Sequence, residues 1–416
     1  MEKHEIIIAG GGASGVFLAL LLADYGKEVM IIEGKDRILK KLLTTGNGRC
    51  NLTNEKVMEN YRQMYSCSDE QYDFSPLKEY DLSDTLSYFS SLGLNVTTLD
   101  EHKMYPLSLQ SSSVVDILRL SLAEKNISLK LNEKVNDIRK KGKKFTISTN
   151  LEQYECENLV ISTGGMAAPG TGSDGSMFKI LRNLGHRIIT PMPSLVQMKL
   201  DHPSLRALSG VKVNGTGTLF ISGKEIRKEY GELLFTDYGI SGPPVLQLSR
   251  FLHPHLEDGK ELTISLDLFP DKSPAEVTDM ILNHAGSFSY RSALDAFKSL
   301  LPSKLIPVLL KESGIERPSG ILGEIDHRHL IRLSELLKEW SFNITGTQGF
   351  NMAQGTYGGV DISEVKRSLE SKKVPGLYLT GEVLDVLGAC GGFNLQWAWS
   401  TAGTVMKALT GQLEAD

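Results

Sequence analysis

The chain has 416 residues, 41% of them hydrophobic, enough apolar material for two or three domains with cores of their own. Its formal net charge of −5 lacks the basic excess of a nucleic-acid binder. Four cysteines (Cys50, Cys67, Cys156, Cys390) lie far apart with no CxxC, which argues against a disulfide framework, a zinc site and a redox-active cysteine pair.

In chain order, residues 5–9 read as a buried parallel strand, Ser14 to Tyr25 as an apolar helix and Lys27 to Glu33 as a second strand, together a βαβ unit. No basic leader precedes them. The longest apolar run, Val16 to Ala23, is too short to cross a bilayer, so a cytoplasmic protein without a membrane partner is expected. Residues 55–75 are polar and weakly periodic and read as a surface excursion. Helical spacing returns at Leu82 to Leu92 and at Ser112 to Lys125, the latter led by serines suited to N-capping. Strands are expected at 127–131, 134–138, 144–149 and 157–162, and the basic run from Arg139 to Lys144 reads as a solvated hairpin tip. Short β-rich pieces fill 194–270, helices 274–337, and Gly376 to Gly411 reads as a strand, a glycine-rich loop and a last helix.

The turn Gly10-Gly11-Gly12-Ala13-Ser14-Gly15 fits GxGxxG between a strand and a helix. Gly10 permits the tight turn, Gly12 lets backbone approach a pyrophosphate, and Gly15 lets helix pack on strand. Free N–H groups and the helix dipole favour a diphosphate there. Glu33 ends the second strand, where a carboxylate takes both hydroxyls of an adenosine ribose.

Near the other end, Leu377 to Glu382 is a buried strand running into Gly381-Glu382, an arrangement that holds a ribityl chain. Gly388, Gly391 and Gly392 then lead into Phe393-Asn394 and a helix whose N-terminus suits the flavin N1/C2 edge. That device serves a flavin, so FAD is the expected cofactor. A third apolar strand ends in Thr163-Gly164-Gly165, where side chains would collide with a cofactor above it; the next residues, Met166 to Gly170, do not form GxGxxG, so a dedicated nicotinamide domain is not evident.

Three further stretches carry a resemblance. Leu42 to Asn54 (LLTTGNGRCNLTN), Gly231 to Thr236 with Gly239 to Pro243, and Gly381 to Asp385 followed by Gly391 to Ser400 resemble the BaiN/YhiN-type, or tricyclic, FAD-dependent oxidoreductases. The resemblance implies an α/β fold: a Rossmann-like, glutathione-reductase-like FAD-binding domain with an inserted β-barrel-like domain and a small helical subdomain. The expected boundaries are 1–193 and 348–416 for the FAD domain, 194–271 and 338–347 for the β domain, and 272–337 for the helices. It implies FAD contacts from Gly10, Gly12, Ala13, Ser14 and Gly15, from Glu33, and from Lys41, Thr45, Gly46, Gly48, Arg49, Cys50 and Asn51. Further implied contacts are Val135 (to adenine), Thr163, Gly164, Gly165, Gly381, Glu382, Asp385, Gly391, Gly392, Asn394 and Leu395.

Lys103 and Tyr105 lie in a loop that the resemblance brings near the flavin, as candidates to orient or protonate a substrate or as structural loop residues. Cys390 adjoins the ring loop and Cys50 the other flavin-facing motif, so they read as a redox pair or as small apolar packing. His253/His255 and His327/His329 read as surface histidines. The expected reaction is NADH- or NADPH-driven reduction of a conjugated small organic molecule, with no metal and no nucleic acid. The alternatives are an O2-using amine or amino-ketone oxidase and an FAD-dependent RNA-modifying or RNA-binding protein.

Overall fold

The computed structural model describes residues 2–59, 61–253, 255–256 and 258–413. The chain divides into two compact units, Met1–Pro193 with Ala353–Asp416, and Ser194–Met352.

The first unit is built on β1 (Glu2–Ala9), α1 (Ala13–Asp24) and β2 (Val29–Ile32). The run Ile6–Ala9 and all of β2 are buried, as parallel strands covered on both faces must be. The order across the seven-stranded sheet is Ser128–Lys130, β2, β1, Gln153–Ile161, Lys144–Thr149 and Val135–Lys141, with Leu377–Leu379 also pairing Gln153–Ile161. The first three, Gln153–Ile161 and Leu377–Leu379 run parallel; the hairpin 135–149 is antiparallel. Its tip carries the basic run, turning at Gly142 (φ 61°), and Lys140 Nζ lies 4.7 Å over the Phe145 ring. Helix α1 is apolar all round because it is enclosed: the last helix, Phe393–Leu409, packs on it, with the Phe17 and Trp399 rings 5.0 Å apart.

Two local expectations change. The described residues of 55–75 are a surface segment in their polar positions, but they also feed the core. Val57, Tyr65 and Phe74 are buried, Tyr65–Ser66 pairs with Leu387–Gly388, and Tyr65, Tyr72 and Phe74 surround Trp397 at 6.2, 6.4 and 6.4 Å. Aromatic residues spaced irregularly through a polar segment carry no period, so a sequence pattern misses the core they form. The serines before Ser111–Glu124 do not cap it: the N-cap is Gln110, without a side-chain cap bond, and the Ser111 hydroxyl donates to Leu43 O.

The second unit holds a closed barrel of six strands, in the order Met198–Asp201, Gly239–Ser241, Lys224–Phe235, Lys212–Ile221, Leu262–Asp267 and Trp340–Thr347. Helices Pro274–Ser287, Leu305–Glu312 and His327–Lys338 share one apolar core with it. His253 is buried in that core region instead of lying on the surface, and among the described residues no cluster of ligating side chains suits a metal ion. No helix of the described residues is long and apolar enough to cross a membrane.

Candidate FAD site

A cavity in the first unit is lined from Gly10–Ser14 and Glu33 through Lys41, Thr45 and Val135 to Thr163, Gly164, Gly381, Glu382, Asn394 and Leu395. Its floor follows from the glycines. Gly10 has φ 111°, and a Cβ there would sit 2.5 Å from Ser162 O. A Cβ on Gly15 would lie 2.1 Å from Gly10 O, so that glycine serves helix–strand packing and stays out of the wall. Gly12 differs: its Cβ would meet only Ser162 O, at 3.8 Å, leaving the space above open to a ligand. The strain and crowding thus fall on Gly10 and Gly15, and the approach route on Gly12.

Glu33 is fixed by two backbone donors, Gly11 N–H to Oε2 and Lys35 N–H to Oε1, each at 2.8 Å. Burial raises its carboxyl above the ordinary value, while the Gly11 and Lys35 N–H groups and the Lys35 charge pull it back. At the other end of the same wall Lys41 Nζ donates to Glu382 Oε2 at 2.6 Å. The turn Gly381–Val383 that carries Glu382 is held by Thr401, whose hydroxyl accepts from Gly381 N at 2.9 Å, and by Trp397 Nε1, which donates to Gly381 O at 3.2 Å.

Three buried polar atoms of this wall, Thr163 Oγ1, Ser173 Oγ and Glu382 Oε1, have no hydrogen-bond partner. Buried polar groups are nearly always paired, and leaving one unpaired costs about 1–3 kcal/mol. All three border Gly164: it is adjacent to Thr163, and its Cβ would lie 2.7 Å from Ser173 Oγ and 3.9 Å from Glu382 Oε2. Two hydroxyls and one carboxylate oxygen suit the hydroxyls and phosphates of a dinucleotide, and the residues present therefore fit FAD. Glu33 and the α1 N-terminus would hold the adenosine and pyrophosphate, Glu382 and Lys41 the ribityl end.

Other expected contacts lie outside the wall. Gly48 and Arg49 are exposed. Cys50 is buried with a left-handed φ of 57°, and burial pushes its thiol up to about 12. A Cβ on Gly165 would lie 2.4 Å from Thr356 Oγ1, which accepts from Met166 N and Ala167 N, so Gly165 is a packing residue. Asp385 is buried away from the cavity and accepts from Ser68 N at 2.9 Å. Its carboxyl is raised, chiefly by burial. Gly46, Asn51, Gly391 and Gly392 are not part of the wall; Gly46 is exposed and Asn51 is buried. A Cβ on Gly392 would lie 2.4 Å from Thr53 O, and Gly46 backs on Tyr105, whose ring carbon would lie 3.3 Å from a Cβ there. Lys103 and Tyr105 also lie outside the cavity wall.

The loop Thr171–Gly175 and the cations Lys35, Arg37 and Lys134 complete the wall and were not anticipated. The small polar run Thr-Gly-Ser-Asp-Gly was a legible turn signal, but nothing local says that Gly172 reaches Glu33 (3.5 Å from its Cβ position to Oε1).

A family model described as HI0933-like protein Rossmann domain matches residues 4–408. The 3-dehydro-bile acid delta(4,6)-reductase of Clostridium scindens is 36% identical over 404 residues, covering 96% of this chain and 97% of its own length. The ribosomal RNA dihydrouridine synthase of Haemophilus influenzae is 32% identical over 411 residues, 96% of this chain and 97% of its own. Among solved structures, a 3-ketosteroid delta1-dehydrogenase from Sterolibacterium denitrificans shares the fold at TM-score 0.51 and 12% identity, covering 99% of this chain and 100% of that one. A flavocytochrome c3 fumarate reductase does so at TM-score 0.52 and 14% identity, covering 99% of this chain and 78% of that one. With a Rossmann-like sheet, a wall that fits FAD and a family match over nearly its whole length, the chain belongs to the HI0933-like Rossmann family and is a flavin-dependent oxidoreductase.

Proposed function

We propose that the protein reduces a carbon–carbon double bond conjugated with a carbonyl in a small organic molecule, with electrons from NADH or NADPH. One observation carries this reading. The relatives at 36% and 32% identity, named for a bile acid delta(4,6)-reduction and for dihydrouridine synthesis, share one chemistry: saturation of an alkene in conjugation with a carbonyl. Bound FAD supplies the electron transfer; the chain supplies the binding, orientation and electrostatics. Here Glu33, Lys41 and Glu382 bind the cofactor along its length, with Thr45, Asn394 and Leu395 lining the far end of the cavity.

A second reading takes the uracil ring of ribosomal RNA as the alkene. It is favoured by the dihydrouridine synthases of Haemophilus influenzae and Escherichia coli, each 32% identical and matched over 97% of its own length. The net charge of −5 favours the small molecule.

The test is anaerobic. Purified holoprotein is mixed with NADH or NADPH while the flavin absorbance is followed. The reduced protein is then offered a 3-oxo-Δ4,6 steroid acid or unmodified ribosomal RNA, and the product is weighed for two added hydrogens. Bleaching followed by reoxidation with the steroid acid supports the first reading, and with RNA the second. Flavin that neither nicotinamide bleaches, or that only O2 reoxidises, overturns both.

A further inference from the structure

Glu33 marks the adenosine end of the cavity, since the carboxylate closing the second strand of a βαβ unit takes the ribose hydroxyls. The opposite end, at Thr45, Asn394 and Leu395, is where the ring of a bound flavin belongs. Behind it the backbone is strained. Glu101 and His102 both have left-handed φ values, 58° and 60°, a strained conformation that persists in non-glycine residues only where the surroundings over-determine it.

The surroundings do impose it. Asn54 is buried, and its amide donates to Glu101 O at 3.2 Å and to Gly391 O at 3.1 Å, tying the strained turn to the glycine loop. The His102 ring nitrogen Nδ1 lies 3.2 Å from Glu55 Oε2. In the pairing of Thr53–Asn54 with Lys103–Pro106, Asn54 stands opposite Lys103. The result sets the Lys103 stem over Gly391: a Cβ on Gly391 would lie 3.5 Å from Lys103 Cε. The ammonium pairs with Glu101, whose carboxylate faces water at 75% side-chain exposure against 29% for Lys103. Strain, clamp and stem all converge on one cation set against the glycine loop, three residues before Asn394 of the cavity wall.

We propose that Lys103 is the positioned positive charge of the ring end, held by the Asn54–Glu101–Gly391 clamp to stabilise the negative charge a flavin acquires on reduction. Charge near the ring nitrogens is one of the ways a protein tunes a flavin. The N-terminus of the helix Phe393–Leu409, capped by Gly392, contributes with the same sign. Glu101 opposes it, screened by the water it faces. The inference deepens the proposed reaction and rests on FAD as the resident flavin.

The test is the midpoint potential of the holoprotein, read against a reference dye with no substrate present. Lys103→Met is expected to shift the two-electron reduction equilibrium at least tenfold toward the oxidised flavin, ~30 mV. Lys103→Arg should restore most of the wild-type value, and Glu101→Gln should shift it the other way. Lys103→Met should keep its FAD, because Lys103 is outside the cavity wall. A Lys103→Met potential within twofold of wild type in that equilibrium overturns the assignment. Should Lys103→Met fail to hold FAD, Glu101→Gln decides alone: a shift toward the reduced flavin supports the assignment, and no shift or the opposite one overturns it. Because no substrate enters, these results are separable from failure of the proposed alkene reduction.

Discussion

Lys41 Nζ sits 2.6 Å from Glu382 Oε2, while Oε1 of the same carboxylate is buried with no hydrogen-bond partner. Residues 341 positions apart thus make a half-satisfied pair, in which one oxygen is held and the other is left for a ligand. Glu382→Ala should weaken FAD binding by about 1.5–3 kcal/mol, the range for hydrogen bonds to a charged group. Lys41→Met should act through the same contact, so the double variant should fall short of the sum. Glu33→Ala, at the far end of the wall, should add to Glu382→Ala almost fully. Titration of FAD into the apoproteins reads all of these; wild-type affinity in Glu382→Ala would remove Glu382 from the site.

Gly12 and Gly15 should fail in different ways. A valine at Gly12 has room in the fold but occupies the ligand's approach, so Gly12→Val should be folded and colourless. At Gly15 the Cβ position is 2.1 Å from Gly10 O, so Gly15→Val should lower the melting temperature of the apoprotein as well. Near-normal yellow colour in purified Gly12→Val would show the pyrophosphate to lie elsewhere.

The raised Glu33 carboxyl gives the apoprotein a pH signature. In the unfolded chain Glu33 loses its proton near the ordinary glutamate value of about 4.5, before it does in the folded protein. Through that window the folded state binds more protons, so this group's contribution to stability falls as pH rises above about 4.5. Thermal melts of apoprotein from pH 4 upward should show that loss, and Glu33→Gln should flatten it. An unchanged slope in Glu33→Gln would assign the effect to another group.

A Cys50–Cys390 redox pair is not what the thiol environments favour. Burial pushes the Cys50, Cys67 and Cys156 thiols each up to about 12, leaving almost no thiolate at neutral pH. In native protein at pH 8, Cys50, Cys67 and Cys156 should therefore stay unmodified by a disulfide reagent on the timescale on which the denatured chain titrates them. Rapid modification of Cys50 in the folded protein would restore the redox reading.

What the sequence made legible by itself was the class of fold and two stretches that line the cavity, Gly10 to Ser14 with Glu33 and Gly381-Glu382 with Asn394. Gly10 to Gly15 and Glu33 lie within one βαβ unit, and each acts through local geometry: a left-handed φ, a missing Cβ, a carboxylate at a strand end. Such requirements are written in residue type and spacing. The tertiary structure alone decided the rest, because those residues act through partners distant in sequence. Asp385 belongs to a legible Gly-Glu motif yet turns to Ser68, and Gly165 belongs to a legible Thr-Gly-Gly yet is needed by Thr356. The aromatic core around Trp397 gathers Tyr65, Tyr72 and Phe74 from a segment without periodicity. Lys103 reads as an ordinary loop lysine until Asn54 is seen to tie its turn to Gly391, since a hydrogen bond across 337 residues leaves no local trace.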